Sequence, residues 1–250
     1  MQILLSCAKT MADRSAVRPH STTEPRFAGD AGRLAARLGA LPADELARAL
    51  RVNDRLAAEN RQRYLRFHDA EALPAITAYA GIVFRRLAPE SFTPDELLYA
   101  QRHLHITSFL YGLLRPLDAI RPYRLEGSVR PFDDERTLFD FWRDRLTDPL
   151  IESVLSDDGV LVNLASDEMK RLFDWRRVCR EVRVITPSFR LDDGERLRTV
   201  VVYTKMCRGE MTRYLLRRRI DDPGALRDFA WEGFRFDAGR SRPDAPLFIL

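Results

Sequence analysis

The chain has 250 residues, 45% hydrophobic and 31% charged, which suits a globular protein with a substantial core and argues against a disordered or fibrous one. Lysine and arginine total 41 against 37 aspartate and glutamate, so the net charge is only +4 and the placement of charge matters more than its sum. Cys7, Cys179 and Cys207 are odd in number, widely spaced and without a Cys-x-x-Cys pair; this argues against a disulfide framework or zinc knuckle and suits a reducing cytoplasm. The opening MQILLSCAKT lacks a basic leader, and no apolar run approaches the roughly 20 residues of a membrane span.

In chain order, Gln2 to Leu5 reads as a short buried strand that exits into Ser6, Lys9 and Thr10. Residues 12–28 are polar and read as a long loop. Helical spacing follows over Ala31 to Leu38, Asp44 to Phe67 and Pro74 to Leu87. Thr93-Pro94-Asp95-Glu96 caps another helix, expected to run to about His105. Thr137 to Leu155 predicts an amphipathic helix interrupted near Pro149. VLVNLAS (160–166) predicts a buried strand with a helix from Asp167. REVRVITPSFRL and RLRTVVVYTK flank Asp192-Asp193-Gly194-Glu195, a hairpin signal. Arg208 to Ile220 reads as helix, and FRFD and PLFIL as two short strands. Strands and helices mix without regular alternation, so the expected class is α+β or mixed α/β, in one domain over residues 1–250.

SFLYGLLRPLDAIRPYRLEG (108–127) is too rich in polar and aromatic residues for a plain connector. Its first half has the outline of a helix-hairpin-helix over about 107–121. Gly112 stands at the turn, Arg115 faces phosphate and Pro116 opens the second helix. Leu114 replaces the usual second glycine, so a plain helical corner stays open beside the phosphate reading. In the second half, Tyr123, Arg124 and Glu126 suit either a solvated edge or a cleft that holds an anion.

Three predicted strand ends carry the remaining polar candidates. The first delivers Ser6, Lys9 and Thr10, a Ser-x-x-Lys pattern. The second delivers Asn163, Ser166, Asp167 and Glu168. The third, read as a strand ending at Tyr203 to Lys205, delivers Lys205 and Arg208, with Arg213 farther along. Strand ends that lie side by side converge on one site. Lys9 or Lys205 then offers a nucleophile or base, and Glu126 or Glu168 moves protons. A buried structural network of the same residues is the bland alternative. His103 and His105 point apart on a helix, so no metal site is expected, and no cofactor motif is present.

Taken together, LLSCAKTM, YGLLRPLDAIRPYRLE, VNLASDE, YTKMCRG and GFRFD resemble the YaaA family of bacterial peroxide-stress proteins nearly end to end. The resemblance implies the cantaloupe fold with a helix-hairpin-helix, sequence-tolerant binding of double-stranded DNA in the cytoplasm, and a role in limiting damage from peroxide and iron. The family's shared polar positions fall on Ser6, Lys9, Thr10, Tyr111, Gly112, Arg115, Asp118, Tyr123, Arg124, Glu126, Asn163, Ser166, Glu168, Lys205, Arg208 and Arg213. The chain departs from the family pattern at Ile82, Phe84, Gly127 and Met169. These changes leave the ligand's identity open and allow a specialised reaction; the alternative function, motivated by the many acids and hydroxyls at the strand ends, is an enzyme acting on a nucleotide, base or other small anionic metabolite.

Overall fold

The computed structural model describes residues 1–12, 14–15, 21–132 and 134–250. The predicted loop at 12–28 therefore lies partly outside the described residues. The first strand, β1 (Gln2–Leu5), is buried along its whole length. A strand without polar alternation belongs inside a sheet that is covered on both faces.

Three helices follow, α1 (Ala28–Ala40), α2 (Ala43–Leu50) and α3 (Asp54–Leu65). The helical pattern from Asp44 is thus cut in two, because Arg51 takes a left-handed conformation with φ of 53° and Asn53 caps α3. The expected helix from Pro74 is also broken. It becomes β2 (Leu73–Pro74), α4 (Ala75–Ala78) and α5 (Ile82–Leu87), with extended backbone at Tyr79 and Gly81. A Cβ on Gly81 would stand 2.7 Å from Ala8 Cβ, so the loop after β1 packs directly on this break.

Thr93 and Glu96 form the expected reciprocal cap on α6 (Pro94–His103). The helix stops there, since β3 (Leu104–Ser108) is wholly buried and pairs in parallel with β1. β4 (Gly112–Leu114) turns back antiparallel on β3, and β5 (Ala119–Ile120) pairs with β2. The predicted helix-hairpin-helix over 107–121 is therefore a β-hairpin followed by a short strand. The physical reason is long-range. Trp142 Nε1 donates to the Phe109 carbonyl at 2.8 Å, and Tyr111 N donates to Ser108 Oγ at 2.9 Å, fixing a tight turn. Gly112, with φ of +72°, lets Trp142 approach to 2.8 Å of where a Cβ would be.

Trp142 lies on α7 (Leu138–Leu155), which continues through Pro149 because Leu146, Leu150 and Ile151 are buried around it. β6 (Val160–Leu164), α8 (Asp167–Lys170), α9 (Trp175–Glu181) and β7 (Arg183–Ile185) follow. The main sheet has the order β4-β3-β1-β6-β7, with β3, β1, β6 and β7 parallel. Leu5 is level with both Ile106 and Leu164, so the exits of β1, β3 and β6 share one edge.

β8 (Ser188–Asp192) and β9 (Leu197–Arg198) form the predicted hairpin, with Asp193 Oδ1 accepting from Glu195 N and Arg196 N in the turn. The apolar run after it is not a strand. Val201, Val202 and Tyr203 are exposed in the first turn of α10 (Val201–Arg217), whose Gly209 rests against Val83 of α5. Tertiary packing overrides the β propensity of Val-Val-Val-Tyr. β10 (Arg235–Phe236) and β11 (Leu247–Ile249) complete a second sheet in the order β10-β11-β8-β9. The class is mixed α/β. Among the described residues, no helix is long and apolar enough to cross a membrane.

Candidate functional site

The loops that leave β1 and β6 lie on adjacent strands, and the strand order reverses there, since β1 is followed by its neighbour β3 in one direction and β6 by its neighbour β7 in the other. Such a switch point opens a crevice at the carboxyl ends of the strands. A cavity of about 370 Å³ occupies that place. Ser6 to Thr10 come from the β1 exit, and Ser166, Glu168 and Met169 from the β6 exit. Tyr123, Arg124 and Leu125 follow β5. Ile82, Val83 and Arg85 come from α5, and Lys205 and Arg208 from α10.

The two loops are tied together. Ser166 N donates to Ser6 Oγ at 2.9 Å, and Ser6 Oγ reaches Ser166 Oγ at 3.4 Å. Asn163 explains its place in an apolar strand here. Its Oδ1 accepts from Ala165 N at 3.1 Å and its Nδ2 donates to Thr186, so it shapes the turn that presents Ser166. Behind the cavity, Tyr123 OH is 2.7 Å from Ser108 Oγ and 2.8 Å from Tyr79 OH. Burial, then the neighbouring Tyr79, holds the Tyr123 phenol well above its ordinary pKa.

Charge in the cavity is unbalanced. Among the described residues, Lys9, Arg85, Arg124, Lys205 and Arg208 line it, against Glu168 alone among lining acids. Glu126 stands beside it, 2.9 Å from Lys9 Nζ and 4.0 Å from Arg124. Arg124 Nε is buried without a hydrogen-bond partner among the described residues. The guanidinium of the half-buried Arg208 has no hydrogen bond or ion pair among the described residues. Burial lowers its pKa, partly offset by the charge of Asp167. Cys7 also lines the cavity, but burial and then the charge of Glu168 push its thiol up to about 12. Five lining cations exceed the nearby carboxylates of Glu126, Asp167 and Glu168, an excess of positive charge that suits an anion. Among the described residues, no three His, Cys, Asp or Glu side chains gather as metal ligands.

The model of the family described as peroxide stress protein YaaA matches residues 1–240. The chain belongs to the YaaA family. It is 53% identical over 252 residues to a UPF0246 protein of Bacteroides thetaiotaomicron, covering 100% of this chain and 98% of the relative. A UPF0246 protein of Porphyromonas gingivalis is 47% identical over 258 residues, covering 100% of both. One of Burkholderia mallei is 38% identical over 257 residues, covering 99% of this chain and 98% of the relative.

Of the polar positions singled out for their likeness to the YaaA family, the cavity gathers Ser6, Lys9, Thr10, Tyr123, Arg124, Ser166, Glu168, Lys205 and Arg208, with Glu126 alongside. The others lie elsewhere. Arg115 does not face phosphate; its guanidinium donates to the Arg102 carbonyl at 3.0 Å, Ser153 Oγ at 2.9 Å and Gln2 Oε1 at 3.3 Å. Asp118 accepts from Arg115 N and Thr23 Oγ1 at the turn before β5. Tyr111 OH accepts from Arg121 N. Arg213 donates to the carbonyls of Leu87 and Ala88 and to Ser91 Oγ. Gly112, Arg115, Tyr111, Asp118, Asn163 and Arg213 are thus framework residues outside the cavity lining. Lys205 reaches the cavity from a helix rather than a strand end. Sequence reasoning missed Arg85, which arrives only because α5 packs on α10. Of the family departures, Ile82 and Met169 line the cavity, whereas Phe84 and Gly127 pack behind it.

Proposed function

We propose that this chain serves the peroxide-stress response by binding, and acting on, a small anionic metabolite in the strand-end cavity. The observation that carries this reading is Arg208, half-buried in the lining with Lys205 and Arg124, its guanidinium without a hydrogen bond or ion pair among the described residues and with only the more distant charge of Asp167 to offset its burial. A desolvated, unpaired guanidinium is costly, and an anionic ligand relieves that cost. The volume of about 370 Å³ falls in the small-molecule range of roughly 300–1,000 Å³. The Lys9–Glu126 pair and the Ser6 and Ser166 hydroxyls give the site groups able to move a proton.

Calorimetric titration with inorganic phosphate and pyrophosphate tests the reading. Binding of either is expected, with a loss of at least about tenfold in Arg208→Ala, some 1.4 kcal/mol. Absence of heat with both anions overturns it. In a strain lacking the gene, the wild-type chain is expected to restore survival of hydrogen peroxide and Arg208→Ala is not.

Double-stranded DNA is the second reading, carried by the exposed Lys9, Arg85 and Lys205 around the cavity. It predicts sequence-tolerant binding that weakens steeply with salt. Affinity that stays flat from low to moderate salt removes it.

A further inference from the structure

We propose that the cavity's ligand is a nucleoside 5′-monophosphate with an amino-bearing base, its phosphate on Arg124, Lys205 and Arg208 and its amino group on Glu168. This rests on the reading of the cavity as an anion site and names the class of anion. Four observations carry it.

The first is size. A cavity of about 370 Å³ lies at the small end of ligand sites, with room for one nucleotide rather than two. The second is composition. Ala8 and Ile82, both partly exposed, bring apolar surface to the same cavity in front of the buried Val83, Leu125 and Met169. A bare phosphate leaves that surface wet, whereas a base covers it. The third is Glu168. Its neighbour Asp167 is paired with Lys170 at 2.5 Å, but the carboxylate of Glu168, exposed at the cavity's edge, has no hydrogen bond or ion pair among the described residues. An unpaired carboxylate repels an anion unless the ligand also brings a hydrogen-bond donor to it. The amino group of adenine, cytosine or guanine is such a donor. The fourth is the buried Arg124 Nε, a donor without an acceptor among the described residues, which a phosphate oxygen satisfies. A base still paired in a duplex has its amino group engaged and must leave the stack to make these contacts.

The test is calorimetric titration of the full chain with adenosine, cytidine and guanosine 5′-monophosphates, purine riboside 5′-monophosphate, adenosine and inorganic phosphate. At least one amino-bearing monophosphate is expected to bind about tenfold tighter than phosphate and than its nucleoside. If adenosine monophosphate is that ligand, purine riboside monophosphate, the same molecule without the amino group, binds about tenfold more weakly. Glu168→Ala removes the difference, and Arg208→Ala weakens both phosphates alike. Circular dichroism melts confirm that both variants fold. Phosphate binding with no monophosphate tighter than it overturns the nucleotide and leaves the anion site standing. No binding of any probe, phosphate included, overturns both. Tight binding of a monophosphate whose ranking survives Glu168→Ala overturns the assigned contact.

Discussion

Lys9 Nζ lies 2.9 Å from Glu126 Oε1, joining the loop after β1 to the segment after β5 at the edge of the cavity. The lysine is 58% exposed and the carboxylate 13%, so the pair is only partly shielded from water. Such pairs contribute about 0.2–1 kcal/mol to stability. Glu126→Gln is expected to lower the melting temperature by no more than about 4 °C. Ligand binding or turnover should fall by a much larger factor if the pair serves the site. Parallel melts and titrations separate the two effects.

Arg115 and Arg208 are both half-buried arginines with opposite roles. Arg115→Ala strands the Arg102 carbonyl, Ser153 and Gln2, and should cost about 1–3 kcal/mol of stability. Phosphate affinity should stay within about twofold of wild type. Arg208→Ala should do the reverse. Urea denaturation beside phosphate titration checks the pair, and loss of phosphate binding in a folded Arg115→Ala contradicts the assignment.

Gly209 is where α10 presses on α5. A Cβ there would meet the Val83 carbonyl oxygen at 2.2 Å and Arg86 Cβ at 2.7 Å. Backbone cannot yield as a flexible side chain does, so Gly209→Ala should destabilise by about 1–3 kcal/mol. Because the two helices supply Arg85, Lys205 and Arg208, ligand affinity should fall too. An unchanged melting temperature contradicts the close packing.

With its thiol pushed up to about 12, Cys7 holds roughly one part in 10⁵ as thiolate at neutral pH. Cys179 is exposed and should be alkylated by iodoacetamide far sooner at pH 8. Mass spectrometry of the folded chain after dilute hydrogen peroxide is expected to find no sulfenic acid on Cys7. A modified Cys7 with Cys179 intact contradicts this order.

His105 is buried, with Nε2 3.0 Å from Ser153 Oγ and Nδ1 unpartnered. Burial, then the charge of Arg115, holds its pKa well below the usual 6.5. The unfolded chain takes up a proton near pH 6.5 that the folded chain refuses. Stability is therefore whole above that pH and falls as acid is added, by up to about 1.4 kcal/mol per pH unit. His103 shifts in the same direction. Urea denaturation at pH 7.5, 6.5 and 5.5 should show the decline, and His105→Gln should flatten it. A flat wild-type profile contradicts the buried neutral ring.

Much of this protein was determined by sequence acting over short distances. Short, largely apolar runs made β1 and β6 buried strands, Thr93 and Glu96 closed their own cap, and Asp193 accepted the turn amides of its own hairpin. That Ser6, Lys9, Ser166 and Glu168 share one cavity lining was legible because each lies in the segment that leaves such a strand. Tertiary structure decided the rest. Residues 107–121 became a hairpin because Trp142 takes the Phe109 carbonyl, and Arg115 turned inward to Ser153 and Arg102. Val201 to Lys205 became helix because Gly209 lets α10 settle on α5, which also carried Arg85 and Ile82 into the cavity. Caps and turns satisfy their hydrogen bonds within a few residues and so are written locally. A buried donor or a close helix contact is satisfied by whichever distant segment packs against it, and only the folded chain specifies that segment.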